Sequence, residues 1–290
     1  MEKRKLVMAI VVVVGLFSSV TFAGGPLGPP RALVGHGKWL VDVEYAHENI
    51  DLKSYGKRTE YAYSGGVWTY YPSGCTKLEI KDVESDMFFG SLAYGLSDNW
   101  DVYARAGIAD AGADIKAGCG AGYAGEEYGF DGGFGFSWGV GTRATFCQCG
   151  LWTFGAVGQV TWVDPGDDDL SWSGDVGGYD VVMSGKLKLD WRQFQAGLGV
   201  TYQADGWWVY GGPCLFFVNG DLDATITETQ DGSPAYLYKY RHEIREESEF
   251  GGWVGVGCNL PQNATCYAEA QIYGDGWLVG AGVSFPLAVQ

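Results

Sequence analysis

The stretch DGGFGFSWGVGTRATFCQCGLWTFGAVGQVTWV, residues 131–163, decides the fold. In its first half Phe134, Phe136, Trp138, Val140, Thr142, Ala144 and Phe146 share one face. Gly133, Gly135, Ser137, Gly139, Gly141, Arg143 and Thr145 share the other. Side chains on a strand alternate with period two, so this is a strand with one apolar wall and one small or polar wall. The second half repeats the pattern, with Trp152, Phe154, Ala156, Val160 and Trp162 opposed by Thr153, Gly155, Val157, Gln159 and Thr161. A short turn at Cys147-Gln148-Cys149-Gly150 makes the pair a hairpin. A soluble sandwich would put bulky aliphatics on its core face and charges on the other. Here the bulky face carries aromatics at both ends and the opposite face is nearly free of bulk, which is the pattern of a strand crossing a bilayer in a barrel. A tilted strand needs about 9–11 residues for that crossing, and each half supplies them.

Working outward, the amino terminus has the form of a cleavable export signal. Glu2-Lys3-Arg4-Lys5 is basic, Leu6 to Val20 is apolar, and Thr21-Phe22-Ala23 offers small residues for cleavage. The sequence thus divides into a signal peptide (1–23), a Gly/Pro-rich N-terminal lead (24–37) and a barrel domain (38–290). No later stretch is long and apolar enough for a membrane helix, so a membrane crossing has to be made with strands. Loss of three basic residues and one acidic residue with the leader takes the net charge from −16 to −18. That excludes a basic footprint for nucleic acid. Seven cysteines remain (Cys75, Cys119, Cys147, Cys149, Cys214, Cys258 and Cys266), in a compartment where disulfides persist. The odd number leaves at least one thiol free or paired between chains.

In chain order, strands are expected at Lys38–Asn49, Val83–Gly95, Trp100–Ala109, the two arms of the hairpin, Lys186–Tyr202, Trp207–Asn219, Glu243–Asn259, Ala264–Tyr273 and Trp277–Leu287. The stretches 50–82, 110–130, 164–185 and 220–242 are expected as long loops. Turns of about four residues close the other ends, at 96–99, 147–150, 203–206 and 260–263. Long and short connections alternate up to the final Gly274-Asp275-Gly276 turn. An up-and-down antiparallel barrel of about ten strands, with short periplasmic turns and long external loops, has this rhythm. In the sixth strand Lys188, Asp190 and Arg192 stand on the face that lower down carries Phe194, Ala196, Leu198, Val200 and Tyr202. Its upper half is therefore expected to project beyond the membrane.

Tyr94-Gly95-Leu96-Ser97-Asp98-Asn99-Trp100-Asp101-Val102-Tyr103-Ala104-Arg105-Ala106-Gly107, and Gly276-Trp277-Leu278-Val279-Gly280-Ala281-Gly282-Val283-Ser284-Phe285, resemble the small outer-membrane β-barrel proteins of Gram-negative bacteria, the superfamily of opacity-type adhesins and small porins. The likeness covers nearly all of the mature chain, and its motifs are architectural. It implies an outer-membrane location, with lipid and lipopolysaccharide around the barrel and external loops open to an extracellular ligand. Members typically end on an aromatic residue, whereas here Phe285 is followed by Pro286-Leu287-Ala288-Val289-Gln290.

For chemistry the candidates are few. His36 precedes the first strand, and His47 and His242 fall near external strand ends beside Glu48 and Glu243. Hydrolysis needs a nucleophile or activated water, a base and an orienting group converging in space. The protease, lipid-A deacylase and phospholipase patterns known among such barrels match no residues here, so no catalytic residue and no cofactor is assigned. Asp42, Glu44, Glu48, Asp101, Arg105, Arg143 and Glu269 all take the inward face and are expected to pair as a lumen charge network, since buried charge is costly unless compensated. The acidic run Asp164, Asp167, Asp168, Asp169, Asp175 and Asp180 lacks ordered calcium-ligand spacing and reads as a solvated loop. Cys147-Gln148-Cys149 has the wrong spacing for a metal or redox pair. Cys258 and Cys266 flank one turn and are expected to bridge, and Cys75 with Cys119 is a second pairing within external loops. Cys214 is expected as a small buried hydrophobe. Tyrosines at 55–71 and 236–240 read equally as a contact surface or as strand extensions. The sequence therefore points to a non-enzymatic surface barrel, structural or adhesin-like. The alternative is a narrow porin in which Asp42, Glu44 and Glu48 favour cations; a secreted soluble β-domain is the rival class.

Overall fold

A computed structural model describes residues 25–71, 75–117, 127–246, 250–274 and 276–287. It contains strands β1 (Trp39–Ser64), β2 (Val67–Tyr71), β3 (Cys75–Ser97), β4 (Trp100–Ala117), β5 (Glu127–Cys149), β6 (Trp152–Val163), β7 (Asp168–Val176), β8 (Tyr179–Gln203), β9 (Trp207–Gln230), β10 (Ser233–Glu246), β11 (Phe250–Asn259), β12 (Thr265–Tyr273) and β13 (Gly276–Leu287). Ten of them close a ring in the order β1-β3-β4-β5-β6-β8-β9-β11-β12-β13, with β13 returning to β1 from Trp39↔Leu287 to Ile50↔Gly276. Every pairing is antiparallel, so the architecture is an up-and-down transmembrane β-barrel of ten strands. Closure leaves no unpaired edge at membrane depth, which hydrocarbon demands.

The tight turns at Asp98-Asn99, Gly150-Leu151, 204–206 and 260–264 share one end of the ring with the start of β1 and the end of β13. Two aromatic girdles bound its outer face. The lower includes Trp39 against Tyr94 (4.7 Å between ring centres) and Trp152 against Tyr202 (4.8 Å). The upper includes Tyr45 against Phe88 (4.8 Å) and Trp138 stacked on Trp162 (4.1 Å). Between them exposed Val43, Leu92, Val140, Leu198 and Val256 face outward, in keeping with rings at the membrane interfaces and aliphatics at mid-depth.

Above the upper girdle the strands continue, which corrects four expectations. Residues 50–82, 110–130, 164–185 and 220–242 are not long loops. Their described parts are mostly strand: the upper halves of β1, β3, β4, β5, β8 and β9, together with β2, β7 and most of β10. The expected strand Glu243–Asn259 is in fact two, because β10 ends at Glu246 and β11 begins at Phe250. Over β11, β12 and β13 a single strand, β10, spans from β9 to β1, pairing from Leu52↔Glu246 to Ala62↔Tyr236. On the other side β7 runs on from β6 along β8, and the gap to β5 is bridged by Gly166 N–H to Gly133 O (2.6 Å) and Asp131 N–H to an Asp168 carboxylate oxygen (3.1 Å). Fewer strands enclose this upper part than enclose the membrane ring.

In this extension most inward side chains are apolar: Leu52, Leu78, Ile80, Ala111, Ile115, Phe130, Leu187, Leu189, Leu222 and Ile244 are all buried in one core, beside the buried polar Ser54, Glu228 and His242. Outward positions between them are Asp51, Lys53, Glu79, Lys81, Lys188 and Asp190. The change from one regime to the other comes with register shifts at Ile50/Leu52, Lys81/Glu84 and Ala109/Ala111. Bulges bend strands and tighten their twist, as a narrowing barrel requires.

Candidate functional site: a lumen filled from below

The lower half of the barrel is occupied by the chain's own N-terminal lead. Residues 25–35 run through the lumen, with Leu27 fully buried, so this part of the N-terminal lead is an internal plug. Three prolines (Pro26, Pro29 and Pro30) keep it out of the sheet, since proline donates nothing to a ladder. Its backbone is held instead by side chains of the wall. Glu269 accepts the N–H of Leu27 (2.8 Å) on one oxygen and that of Gly28 (2.9 Å) on the other. Asp101 accepts from Leu33 (2.6 Å) and Val34 (3.3 Å). Gln159 donates to the carbonyls of Gly25 (3.0 Å) and Pro26 (3.3 Å), and the indole of Trp253 donates to Gly28 O (3.3 Å). At the foot, Ala32 N–H meets Thr145 Oγ1 (3.0 Å) and His36 N–H meets an Asp98 carboxylate oxygen (3.0 Å). Bonds from backbone N–H to a carboxylate are charge-assisted and stronger than neutral ones.

The glycine-rich wall follows from the same filling. Large inward rings lie flat across glycines on the neighbouring strand: Tyr103 over Gly141, Tyr210 over Gly255, Trp208 over Gly257 and Tyr267 over Gly282, each pair directly opposed in register. A Cβ at any of these glycines would collide with the ring. Gly280 similarly makes room for Pro26, whose Cγ lies 3.0 Å from where a Cβ would stand.

All seven expected lumen charges are buried and inward-facing. Ion pairing accounts for only part of their contacts. Arg105 and Glu44 approach at 3.8 Å, but Arg105 also donates to Thr161 and lies over the Phe89 ring (4.6 Å). Arg143 sits over the Tyr103 ring at 4.6 Å. Asp42 accepts from Ser91 (3.0 Å), Glu44 from Tyr267 (2.9 Å), and Glu48 from Gln193. Asp101 and Glu269 are engaged by the plug. Neutral hydroxyl, amide and backbone donors thus supplement the two guanidinium groups around the lumen carboxylates. Above the plug the amides continue, with Gln159 donating to Gln195 (2.6 Å) and Gln195 to Gln271 (3.0 Å) and Tyr273 (2.9 Å). The apolar core of the extension then begins with Phe216, Leu278 and Ile50.

The histidines do not meet. His36 is exposed at the foot, where its ring bonds Leu96 O (2.9 Å). His47 faces outward beside Trp277 (5.2 Å between ring centres), and His242 lies inside the extension against Ser54 Oγ (2.8 Å). The acidic run is solvated as expected but is strand in part: Asp168, Asp169 and Asp175 belong to β7, and lysines of β8 lie alongside. Lys188 reaches Asp164 at 3.3 Å, and Lys186 reaches Asp167 and Asp169 at 3.9 Å each. Cys258 and Cys266 are directly opposed in register with sulfurs 3.0 Å apart, so a bridge would need no change of pairing. Cys147 and Cys149 are exposed, and Cys214 is buried in β9. Cys119 and the side chain of Cys75 lie outside the described residues. The plug itself was missed by the sequence reading. Its available signal was the placement of Glu269, Asp101 and Gln159 on inward faces with too few cations to match.

No family model matches the chain, and no curated protein matches it. Among solved structures it is similar to the outer membrane protease OmpT of Escherichia coli, at 10% identity over 93% of this chain and 100% of that one, with a TM-score of 0.40. The translocator domain of the autotransporter NalP of Neisseria meningitidis is 10% identical over 98% and 95%, with a TM-score of 0.39. The outer membrane protein OprG of Pseudomonas aeruginosa is 11% identical over 88% and 98%, with a TM-score of 0.35. At such values no activity, substrate or partner carries over to this chain. Its barrel is read from its own strand pairing.

Proposed function

We propose that this chain is a non-enzymatic, non-conducting surface barrel of a bacterial outer membrane, built to hold a folded β-extension outside the cell. The observation that carries the reading is the continuous filling of the interior: a hydrogen-bonded plug below, a glutamine layer at mid-height and an apolar core above. A porin needs a continuous polar path, and the mainly apolar core among the described residues of the extension argues against one. The expected cation preference of Asp42, Glu44 and Glu48 has no role in a filled lumen.

The outward end supplies the working surface. The β1–β2 hairpin presents Tyr55, Tyr63, Trp68, Tyr70 and Tyr71 to solvent, and the β7–β8 hairpin presents Trp172 and Tyr179. Tyr61 packs on Tyr70 (5.6 Å between ring centres) and Tyr63 on Trp68 (5.0 Å), so the rings are held in place rather than free. Preorganised exposed aromatics suit contact with another molecule at low entropic cost. Planar-bilayer recording of the purified full chain tests the reading. The expected result is an unchanged baseline, and stable, reproducible conductance steps would replace this function with that of a pore.

A further inference from the structure

We infer that the periplasmic mouth of the barrel holds a binding site for a small oxyanion, a phosphate or carboxylate group, clasped between the plug and the wall. A cavity of about 350 Å³ opens there, lined by Arg31 and Lys38 at the foot of the plug and by Trp208, Asn259, Asn263 and Thr265 of the barrel wall. No aspartate or glutamate lines it, in a chain whose net charge is −16. The lining of the cavity is therefore positively charged, with the Asp98 carboxylate near Lys38 but outside it.

Two donors beside this cavity are unmet. The Arg31 guanidinium packs against the Trp208 ring, 5.4 Å from its centre, and its buried Nε finds no acceptor. The indole Nε1–H of Trp208, a residue only 3% exposed, is likewise buried without an acceptor. A buried donor left unmet is destabilising. The Arg31 side chain lines the cavity, and a guanidinium presents a planar fork of donors matched to carboxylate and phosphate oxygens. The amides of Asn259 and Asn263 add neutral donors at the rim, and Lys38 adds a second positive charge. The volume exceeds that of a bare ion, so the anionic group of a larger periplasmic molecule also fits. Since Arg31 and Lys38 belong to the plug segment and its foot while Trp208 and Asn259 belong to β9 and β11, a bound anion would tie plug to wall.

Isothermal titration of the detergent-solubilised full chain at low ionic strength tests this with three probes: sodium phosphate, sodium acetate and a short peptide with a free terminal carboxylate. Sodium chloride serves as the control. The expected result is saturable binding of at least one oxyanion, weakened tenfold or more in Arg31→Gln and partly restored in Arg31→Lys. Preference for phosphate identifies a phosphoryl ligand, and preference for acetate or the peptide identifies a carboxylate; either supports the site. Trp208→Phe narrows the aromatic face on which Arg31 rests, so it should weaken binding several-fold while leaving the barrel folded. In the wild-type protein the ¹⁵N-indole resonance that this variant lacks should shift as anion is added. Absence of saturable binding by all three probes, or equal binding by wild type and Arg31→Gln, overturns the proposal. Either result leaves the conductance test of the barrel untouched.

Discussion

Along β8 the same backbone serves two solvents. In its lower half Phe194, Ala196, Leu198, Val200 and Tyr202 face outward, and Gln193, Gln195, Gly197, Gly199 and Thr201 face the lumen. In its upper half Lys186, Lys188, Asp190 and Arg192 face outward, and Leu187, Leu189 and Trp191 face inward. β1 reverses between Ile50 and Asp51, and β9 between Phe217 and Asn219. Strand geometry is the same on both sides of the reversal; only the medium beyond the outer face changes. Below, lipid accepts apolar side chains and the interior is filled with hydrogen-bonded groups. Above, water is outside and the hydrophobic effect sends the same residue types inward. The lower half is thus held together by polar contacts, and the upper half by buried area.

The largest effect that would break this symmetry is a charge in the upper core. Leu189→Asp places an unpaired carboxylate among apolar side chains and should cost about 3–5 kcal/mol. Limited proteolysis should then degrade the extension while the membrane ring still migrates as a heat-modifiable species. Simultaneous loss of both would mean that the halves fold as one unit. Next comes an outward pair on β8. Leu198→Arg, at mid-depth and 60% exposed, should cost about 2–4 kcal/mol in a bilayer. Lys186→Leu, 68% exposed in its side chain, should change stability by only about 0.5 kcal/mol. Equilibrium unfolding in lipid vesicles measures both, and equal effects would place the lipid boundary elsewhere. The most local change belongs to the plug. Glu269→Gln leaves one of two backbone N–H groups without its acceptor and should cost about 1–3 kcal/mol. Hydrogen exchange should quicken at Leu27 and Gly28 and stay unaltered in the extension. Unaltered exchange at those two amides would show that Glu269 does not hold the plug.

The ring of ten strands was legible because its lower half alternates strongly, and the 131–163 hairpin alone reveals both faces. The extension was readable in part. Lys188, Asp190 and Arg192 flagged it on one strand, but the same reversal in Ile50, Leu52, Leu78 and Ile80, separated by Asp51, Lys53, Glu79 and Lys81, went unread because charge between apolar residues looks like loop. The plug was not legible as structure. Gly24 to Pro30 has no periodicity, and its bonds are made by its backbone, which carries no residue-specific signal. What sequence does record is the other half of each bond, in the inward carboxylates of Asp101 and Glu269.

The reversal of pattern above Ile50 also bears on how the molecule reaches its place and stays there. A folded core with a charged exterior cannot traverse hydrocarbon, so the upper halves of β1, β3, β4, β8 and β9 have to cross as open chain and fold only on the far side. Pairing of β10 with β1 then completes a knob that the bilayer will not pass. Withdrawal would require unfolding that knob first. The extension acts as a rivet head, giving the insertion a direction and making it irreversible without any bound nucleotide or ion gradient.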